Sequence, residues 1–189
     1  MKKKILISIV TYHASFRILT VLNKIKKLNK KKDKVAIIGG GDGGVVRECL
    51  SKGFDLIDWY ELDPEVVKAC QKHLPKVCGE VKANNNVKCY WGDAFESIKK
   101  IKDSKYDKIF VDLNDDQYCI DLAAKNMKNL KRILKPRGVI TAQVGCSVKK
   151  PKQVNGWLKV LSQNFGNSKL DEVFIPSFDC SWDFASSIM

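Results

Sequence analysis

The sequence predicts an α/β fold in which a mostly parallel sheet, covered by helices on both faces, ends in an antiparallel hairpin. Three observations predict it. Residues 35–48 read VAIIGGGDGGVVRE: a short apolar run breaks into glycines and resumes as a helical pattern, the sequence form of a strand–turn–helix crossover. Strand-length apolar runs then alternate with amphipathic helical stretches as far as residue 164, which makes neighbouring strands parallel. The last two strand-like runs, 170–176 and 182–188, are separated by residues 177–181 alone, too few for a parallel crossover.

The totals bound the reading. A chain of 189 residues suits a core of ordinary size. Its strongest deviation is a net charge of +13, mostly lysine, concentrated at 2–4, 24–34, 99–108 and 125–135. These lysines read as a solvated surface on helix faces and loops; a nucleic-acid partner is the less favoured reading, because no stretch interleaves them with aromatics. Seven cysteines, an odd number without a C-x-x-C pair, and only two histidines argue against a disulfide framework and a metal centre. The first ten residues, MKKKILISIV, hold an apolar core of six, short for a leader, and no run approaches the ~20 apolar residues of a membrane span. The chain reads as soluble and cytoplasmic.

Element by element, residues 5–10 form a short strand and 14–28 an amphipathic helix (Phe16, Ile18, Leu19, Leu22, Ile25, Leu28). Residues 29–34 connect this N-terminal unit, 1–33, to a nucleoside-binding unit, 34–189. Strand one is 35–38, and the helix after the glycines ends near Gly53. Residues 55–62 are strand two. Asp63-Pro64-Glu65 then supplies a cap, a proline at the first helical position and a first-turn acid, for a helix that buries Val66, Val67, Cys70 and Leu74 and ends at Pro75. Strand three is 86–92, a short helix spans 95–101, and strand four is 108–113. A helix over 120–134 stops before Pro136, strand five is 138–144, and a last helix covers 153–164.

Gly39, Gly41 and Gly44 have the G-x-G-x-x-G spacing, and Glu61 stands twenty residues after Gly41, where a carboxylate can take the hydroxyls of a ribose. In such sheets ligands bind outside the C-terminal strand ends, and Asp42, Glu61, Asp93, Asp112 and Asp115 all fall on that edge. Asp93 also fits as the cap of the helix at Ala94. Asp42 is the informative acid. A carboxylate inside a glycine loop repels a pyrophosphate, so the loop suits a ligand that is cationic there, such as a sulfonium nucleoside with an ammonium tail. Together these features point to the class I S-adenosylmethionine-dependent methyltransferase-like (Rossmann-like) fold rather than to a nicotinamide dehydrogenase.

IIGGGDGGVVRE resembles the signature of the spermidine synthase family of polyamine aminopropyltransferases. The resemblance continues through YELDPEVV (60–67), WGDAFESIKK (91–100), YDKIFVDLNDD (106–116), GVITAQ (138–143) and IPSF (175–178). It implies decarboxylated S-adenosylmethionine as co-substrate, a polyamine such as putrescine as acceptor, no metal, and a homodimer. It also implies that Gly39, Gly40 and Gly41 back the nucleoside, Glu61 holds the ribose and Asp93-Ala94 meets the adenine. Asp42 would hold the aminopropyl ammonium, Asp112 would be the catalytic aspartate, and Asp115, Gln143 and Phe178 would bind the acceptor. The match has departures. Most of the family's small N-terminal β domain has no counterpart in the 33 residues before Lys34, Tyr12-His13 echoes the family's Tyr-His pair only at a longer spacing, Asp116 stands where the family has proline, and Phe178 keeps a tyrosine's ring without its hydroxyl.

The chemistry fits these roles. An amine attacks carbon beside a sulfonium only as the neutral base, and deprotonating a primary amine at pH 7 costs about 4 kcal/mol. A carboxylate at the attacking nitrogen can take that proton during displacement. The basic surface does not forbid a cationic acceptor, since charges beyond about 8 Å are largely screened at physiological salt. Two other functions stay open on sequence grounds: a methyltransferase on the same fold, RNA-directed in view of the basic surface, and a nucleoside-binding partner subunit without activity. The segment DLNDD (112–116) lacks the N/D-P-P-Y form used by many base methyltransferases.

Overall fold

The structure, a computed structural model, describes residues 33–189 apart from 55, 80, 115 and 176–178. The N-terminal strand and helix expected over 1–33 and the Tyr12-His13 pair lie outside the described residues, as do Asp115 and Phe178. The elements run β1 (Lys34–Gly39), α1 (Gly44–Ser51), β2 (Leu56–Glu61), α2 (Pro64–His73), α3 (Pro75–Cys78), a 3₁₀ turn (Val81–Ala83), β3 (Val87–Trp91), α4 (Ala94–Lys99), β4 (Tyr106–Asp112), α5 (Gln117–Ile133), β5 (Leu134–Gly145), α6 (Pro151–Phe165), β6 (Ser168–Ile175) and β7 (Cys180–Ile188).

The seven strands form one sheet in the order β3-β2-β1-β4-β5-β7-β6. Strands β1 to β5 are parallel neighbours, whereas β7 pairs antiparallel with both β5 and β6. This is the predicted Rossmann-like architecture, with one feature added. The closing hairpin folds back so that its second strand, β7, lies inside the sheet and its first strand, β6, forms the edge.

Period-two alternation splits the core into two layers. On one face Ala36, Ile38, Ile109, Val111, Ile140 and Ala142 meet α5 and α6 through Met127, Leu130, Trp157 and Leu161. On the other, Val35, Ile37, Trp59 and Phe110 meet Val45, Val46 and Cys49 of α1 and Val67 and Cys70 of α2. Chain direction away from β1 reverses here: β2 lies on one side of it and β4 on the other. The C-terminal ends of β1 and β4 therefore flank the crevice where such sheets take ligands.

Four sequence expectations are corrected. Val66 is not buried but 37% exposed, because it turns toward the glycine loop, where a Cβ on Gly41 would meet its Cγ1 at 3.0 Å. Leu74 is only half-buried; α2 does end ahead of Pro75, at His73, and Pro75 then opens the short helix α3. Pro136 does not separate helix from strand. β5 starts at Leu134, directly after α5, and passes Pro136 through a register shift between its pairings with Tyr106 and Lys108, a place where a missing N–H breaks no ladder bond. In the glycine turn, Gly39, Gly40 and Gly43 take left-handed backbone. Of the lysines read as surface groups, Lys108 is 2% exposed in β4, and burial pulls its ammonium down to about 8.

Candidate active site

The glycine turn is shaped around the end of β4. Gly39 and Asp112 are register partners, and the Gly40 N–H donates to the Asp112 carbonyl at 2.9 Å. A Cβ on Gly39 would lie 2.3 Å from that carbonyl oxygen, and one on Gly40 would lie 2.8 Å from Asp112 Oδ2. Both residues also have positive φ, 80° and 69°, which other residues rarely adopt. The turn is thus glycine because backbone must pass against the Asp112 carboxylate, leaving that carboxylate at the switch point with its neighbours close by.

Those neighbours are acids. A Cβ on Gly41 would sit 3.1 Å from Glu61 Oε2, so the same turn touches Glu61 at the end of β2. Glu61 is 8% exposed and Asp42 is 9% exposed. The Asp63 N–H donates to Glu61 Oε1 at 3.0 Å. Asp42 accepts from the Gly44 N–H at 3.0 Å through Oδ1, so it also satisfies one of the open donors at the start of α1. Burial, and then the charges of Asp42 and Glu61, push the half-buried Asp112 up to about 7. Burial also raises Glu61, outweighing the stabilising N–H groups of Asp63 and Leu62, and Asp63 and Asp42 add to the rise. Three carboxylates therefore crowd one rim, and a cation placed among them would relieve all three.

Asp93 follows β3, beside β2, and the Gly92 N–H donates to the Glu61 carbonyl at 2.9 Å. Its Oδ1 accepts from the Phe95 and Glu96 N–H groups at 2.7 and 3.3 Å, so the capping role expected for it is present. Asp93 is exposed and Ala94 half-buried, both on the rim next to Glu61.

Gln143 on β5 reaches the site from the other side. Its Nε2 donates to the Leu113 carbonyl at 2.6 Å, and its Oε1 accepts from the Trp182 indole N–H. An indole only donates and a carbonyl only accepts, so this pair fixes the amide's orientation. Gln143 thereby ties β7 to the residue following Asp112. A narrow cleft is lined by Val45, Phe110, Val111, Asp112, Thr141, Gln143 and Phe184. Trp182, Thr141 and Phe184 were not singled out from the sequence. Only the cross-strand pairing of Gln143 with Phe184 brings them to the cleft, and period-two patterning alone would mark them as strand residues of one face. Among the described residues no group of histidine, cysteine and carboxylate side chains is arranged to hold a metal ion.

A parallel sheet with a glycine turn at its switch point and carboxylates along the rim defines a Rossmann-like domain with an acid-lined crevice. The chain belongs to the spermine/spermidine synthase family: residues 18–187 match the model of the spermine/spermidine synthase domain. It is 36% identical over 164 residues to a polyamine aminopropyltransferase of Prochlorococcus marinus, an alignment covering 83% of this chain and 58% of that protein. A polyamine aminopropyltransferase of Korarchaeum cryptofilum is 29% identical over 156 residues, covering 81% and 48%. The chain thus spans about half the length of the curated relatives it matches. Among solved structures, a spermidine synthase in complex with the transition-state analogue AdoDATO superposes with a TM-score of 0.75 at 22% identity, covering 82% of this chain and 54% of that one. The spermidine synthase of Thermotoga maritima gives 0.69 at 23%, covering 82% and 52%. At these identities the structural likeness shows the fold.

Proposed function

We propose that this chain transfers the aminopropyl group of decarboxylated S-adenosylmethionine to putrescine or a similar amine. The observation that carries the reading is the crowding of Asp42, Glu61 and Asp112 around the glycine turn, with Asp112 pushed up to about 7. In this reading Gly39, Gly40 and Gly41 bring backbone against the nucleoside and Glu61 takes the ribose hydroxyls. Asp93 and Ala94 border the adenine, and Asp42 meets the aminopropyl ammonium. Asp115 and Phe178 are proposed for the acceptor on the resemblance alone. Gln143 serves the acceptor side by holding the segment after Asp112 in place.

The reaction is a displacement. The amine nitrogen forms a bond to the methylene beside the sulfonium, the carbon–sulfur bond breaks, methylthioadenosine leaves, and the amine proton passes to Asp112. The sulfonium and ammonium charges return Asp112 to its carboxylate form, because they remove the repulsion that raised it. A base whose own value lies near the operating pH is suited to accept a proton as displacement proceeds. Holding nitrogen, carbon and sulfur in line supplies much of the remaining acceleration.

The same crowding separates this reading from a methyltransferase. S-adenosylmethionine carries a carboxylate on the tail that Asp42 would meet, adding a fourth negative charge to the rim, whereas the decarboxylated form brings only positive charge. Isothermal titration with both nucleosides tests this. Tighter binding of the decarboxylated form is expected; preference for the carboxylated one overturns the assignment. The setting implied is a reducing cytoplasm, suited to the seven thiols, with a second copy of the chain as the proposed assembly partner.

A further inference from the structure

We propose that Trp59 is a positioning residue of this site: its indole N–H holds the Gly39–Gly40 peptide in the orientation that presents the glycine turn to a nucleoside. Trp59 Nε1 donates to the Gly39 carbonyl at 2.8 Å. Gly40, the other half of the same peptide, donates its N–H to the Asp112 carbonyl at 2.9 Å. One peptide unit is therefore gripped at both ends, its C=O from β2 and its N–H from β4, the two strands that flank β1.

The grip matters because the peptide joins two glycines. Gly39 and Gly40 have φ of 80° and 69°, and without Cβ atoms their own sterics leave many other conformations open. The orientation must therefore come from hydrogen-bond partners, and the strand ladder supplies only one of them. Pairing of β1 with β2 ends at Ile38 and Tyr60, and past the end of β2 the Asp63 N–H turns to Glu61 Oε1 at 3.0 Å. The Gly39 carbonyl thus receives a side chain. An indole nitrogen only donates, so it accepts one orientation of the peptide and rejects the other. A flipped peptide would set N–H against the indole N–H and carbonyl against the Asp112 carbonyl.

Trp59 is well seated for this task. It is fully buried in the layer with Ile37, Val46 and Val67, and Trp91 meets its ring edge-on, with centroids 6.2 Å apart and planes at 61°. Trp91 is in turn the register partner of Glu61. Trp59 precedes Glu61 by two residues, so both side chains leave the same face of β2. The strand that supplies Glu61 therefore also fixes the turn beside it. That turn passes close to two acids: a Cβ on Gly41 would lie 3.1 Å from Glu61 Oε2, and one on Gly40 would lie 2.8 Å from Asp112 Oδ2. Rotation of the Gly39–Gly40 peptide would shift the backbone between them. A nucleoside lying across the turn would bind less tightly, whereas an amine on the Gln143 side of Asp112 would be little affected. That effect rests on the function proposed above; the grip itself does not.

Amide hydrogen exchange, resolved by residue in the ligand-free protein, tests the grip. Wild type is compared with Trp59→Phe and with Trp59→benzothienylalanine, in which sulfur replaces the N–H in a ring of the same shape, so that the core stays filled if phenylalanine does not fill it. Exchange at the Gly40 amide is expected to rise about tenfold in both variants, with Ile37 and Ile38 unchanged. An unchanged Gly40 amide overturns the proposal, and so does a common rise across β1 and β2, which is what a packing role alone produces. Isothermal titration with decarboxylated S-adenosylmethionine and with methylthioadenosine then reads the consequence. Both should bind about tenfold more weakly to the variants, while amine KM at saturating nucleoside stays constant. Equal nucleoside affinity in a variant whose Gly40 amide has loosened overturns the link to binding. Failure of the wild-type protein to bind either nucleoside would count against the proposed function, and the exchange result would still decide the grip.

Discussion

Strands β2 and β4 each carry polar groups at both ends, and the two ends are treated differently. At the N-terminal end, Asp58 of β2 accepts from the Tyr106 hydroxyl of β4 at 2.7 Å and pairs with Lys105 at 2.6 Å. The Tyr106 and Tyr60 hydroxyls share a hydrogen bond at 2.5 Å, and Tyr60 stacks on Tyr90 of β3. That buried acid has a cation and a hydroxyl within contact. At the C-terminal end, burial and then the charges of Asp42 and Glu61 push Asp112 of the same β4 up, and burial, with Asp63 and Asp42 adding to it, raises Glu61 of the same β2. One sheet thus carries a buried carboxylate paired with a cation of its own chain and, at the opposite edge, carboxyl groups raised by burial and by neighbouring acids. A buried acid paired with a cation supports the fold, whereas acids crowded together at a ligand-binding edge favour a cation there.

The contrast can be broken at either end. The largest effect is expected from Asp112→Asn, which should lower aminopropyl transfer about 10²–10⁴-fold while nucleoside binding, read by titration, persists. Next is Asp58→Ala, which removes one partner of a buried pair and should cost about 3 kcal/mol of stability, read by denaturant unfolding, without a comparable change in KM. Smaller is Trp182→Phe. Losing the indole N–H leaves Gln143 Oε1 short of a donor, an effect of about 1–2 kcal/mol that should appear as a raised amine KM with nucleoside affinity unchanged.

A pH series also sharpens the comparison. Asp112 has a folded value raised from 3.8 to about 7, so between those values the folded protein holds more protons than the unfolded chain. Stability of the ligand-free protein must then fall as pH rises from about 4 to about 7, with the penalty fully present above that window. Thermal unfolding across this range should show that slope, and Asp112→Asn should flatten it. The same substitution would therefore make the empty protein more stable above pH 7 while removing its activity. A slope unchanged in the variant would contradict the electrostatic account of the site.

The glycine-turn half of the candidate site was legible in the sequence and the half at β5 and β7 only in part. Strand, glycine turn and helix are contiguous in the chain, and Glu61, Asp93 and Asp112 each end an apolar run, so local patterning places them on one edge. Which of the turn's glycines take left-handed backbone is not readable from the motif, since those positions depend on the approach of β4 at Asp112, a contact between residues far apart in sequence. Val66 reads as a core position by helical spacing, and only the path of the glycine loop turns it outward. The link from Trp182 through Gln143 to Leu113 was invisible because it requires β7, the last strand, to insert beside β5. Asp42 carries two roles at once. Its place in the loop suggested a contact with a cation, and the structure adds that its Oδ1 accepts from the Gly44 N–H at the start of α1.

The most direct test of the central claim is to incubate the protein with decarboxylated S-adenosylmethionine and putrescine and follow the products by mass. The acid cluster predicts methylthioadenosine and the aminopropylated amine in equal amounts, with neither formed at a comparable rate by Asp112→Asn. Methyl transfer from S-adenosylmethionine in place of this reaction, or equal turnover by the variant, would contradict it.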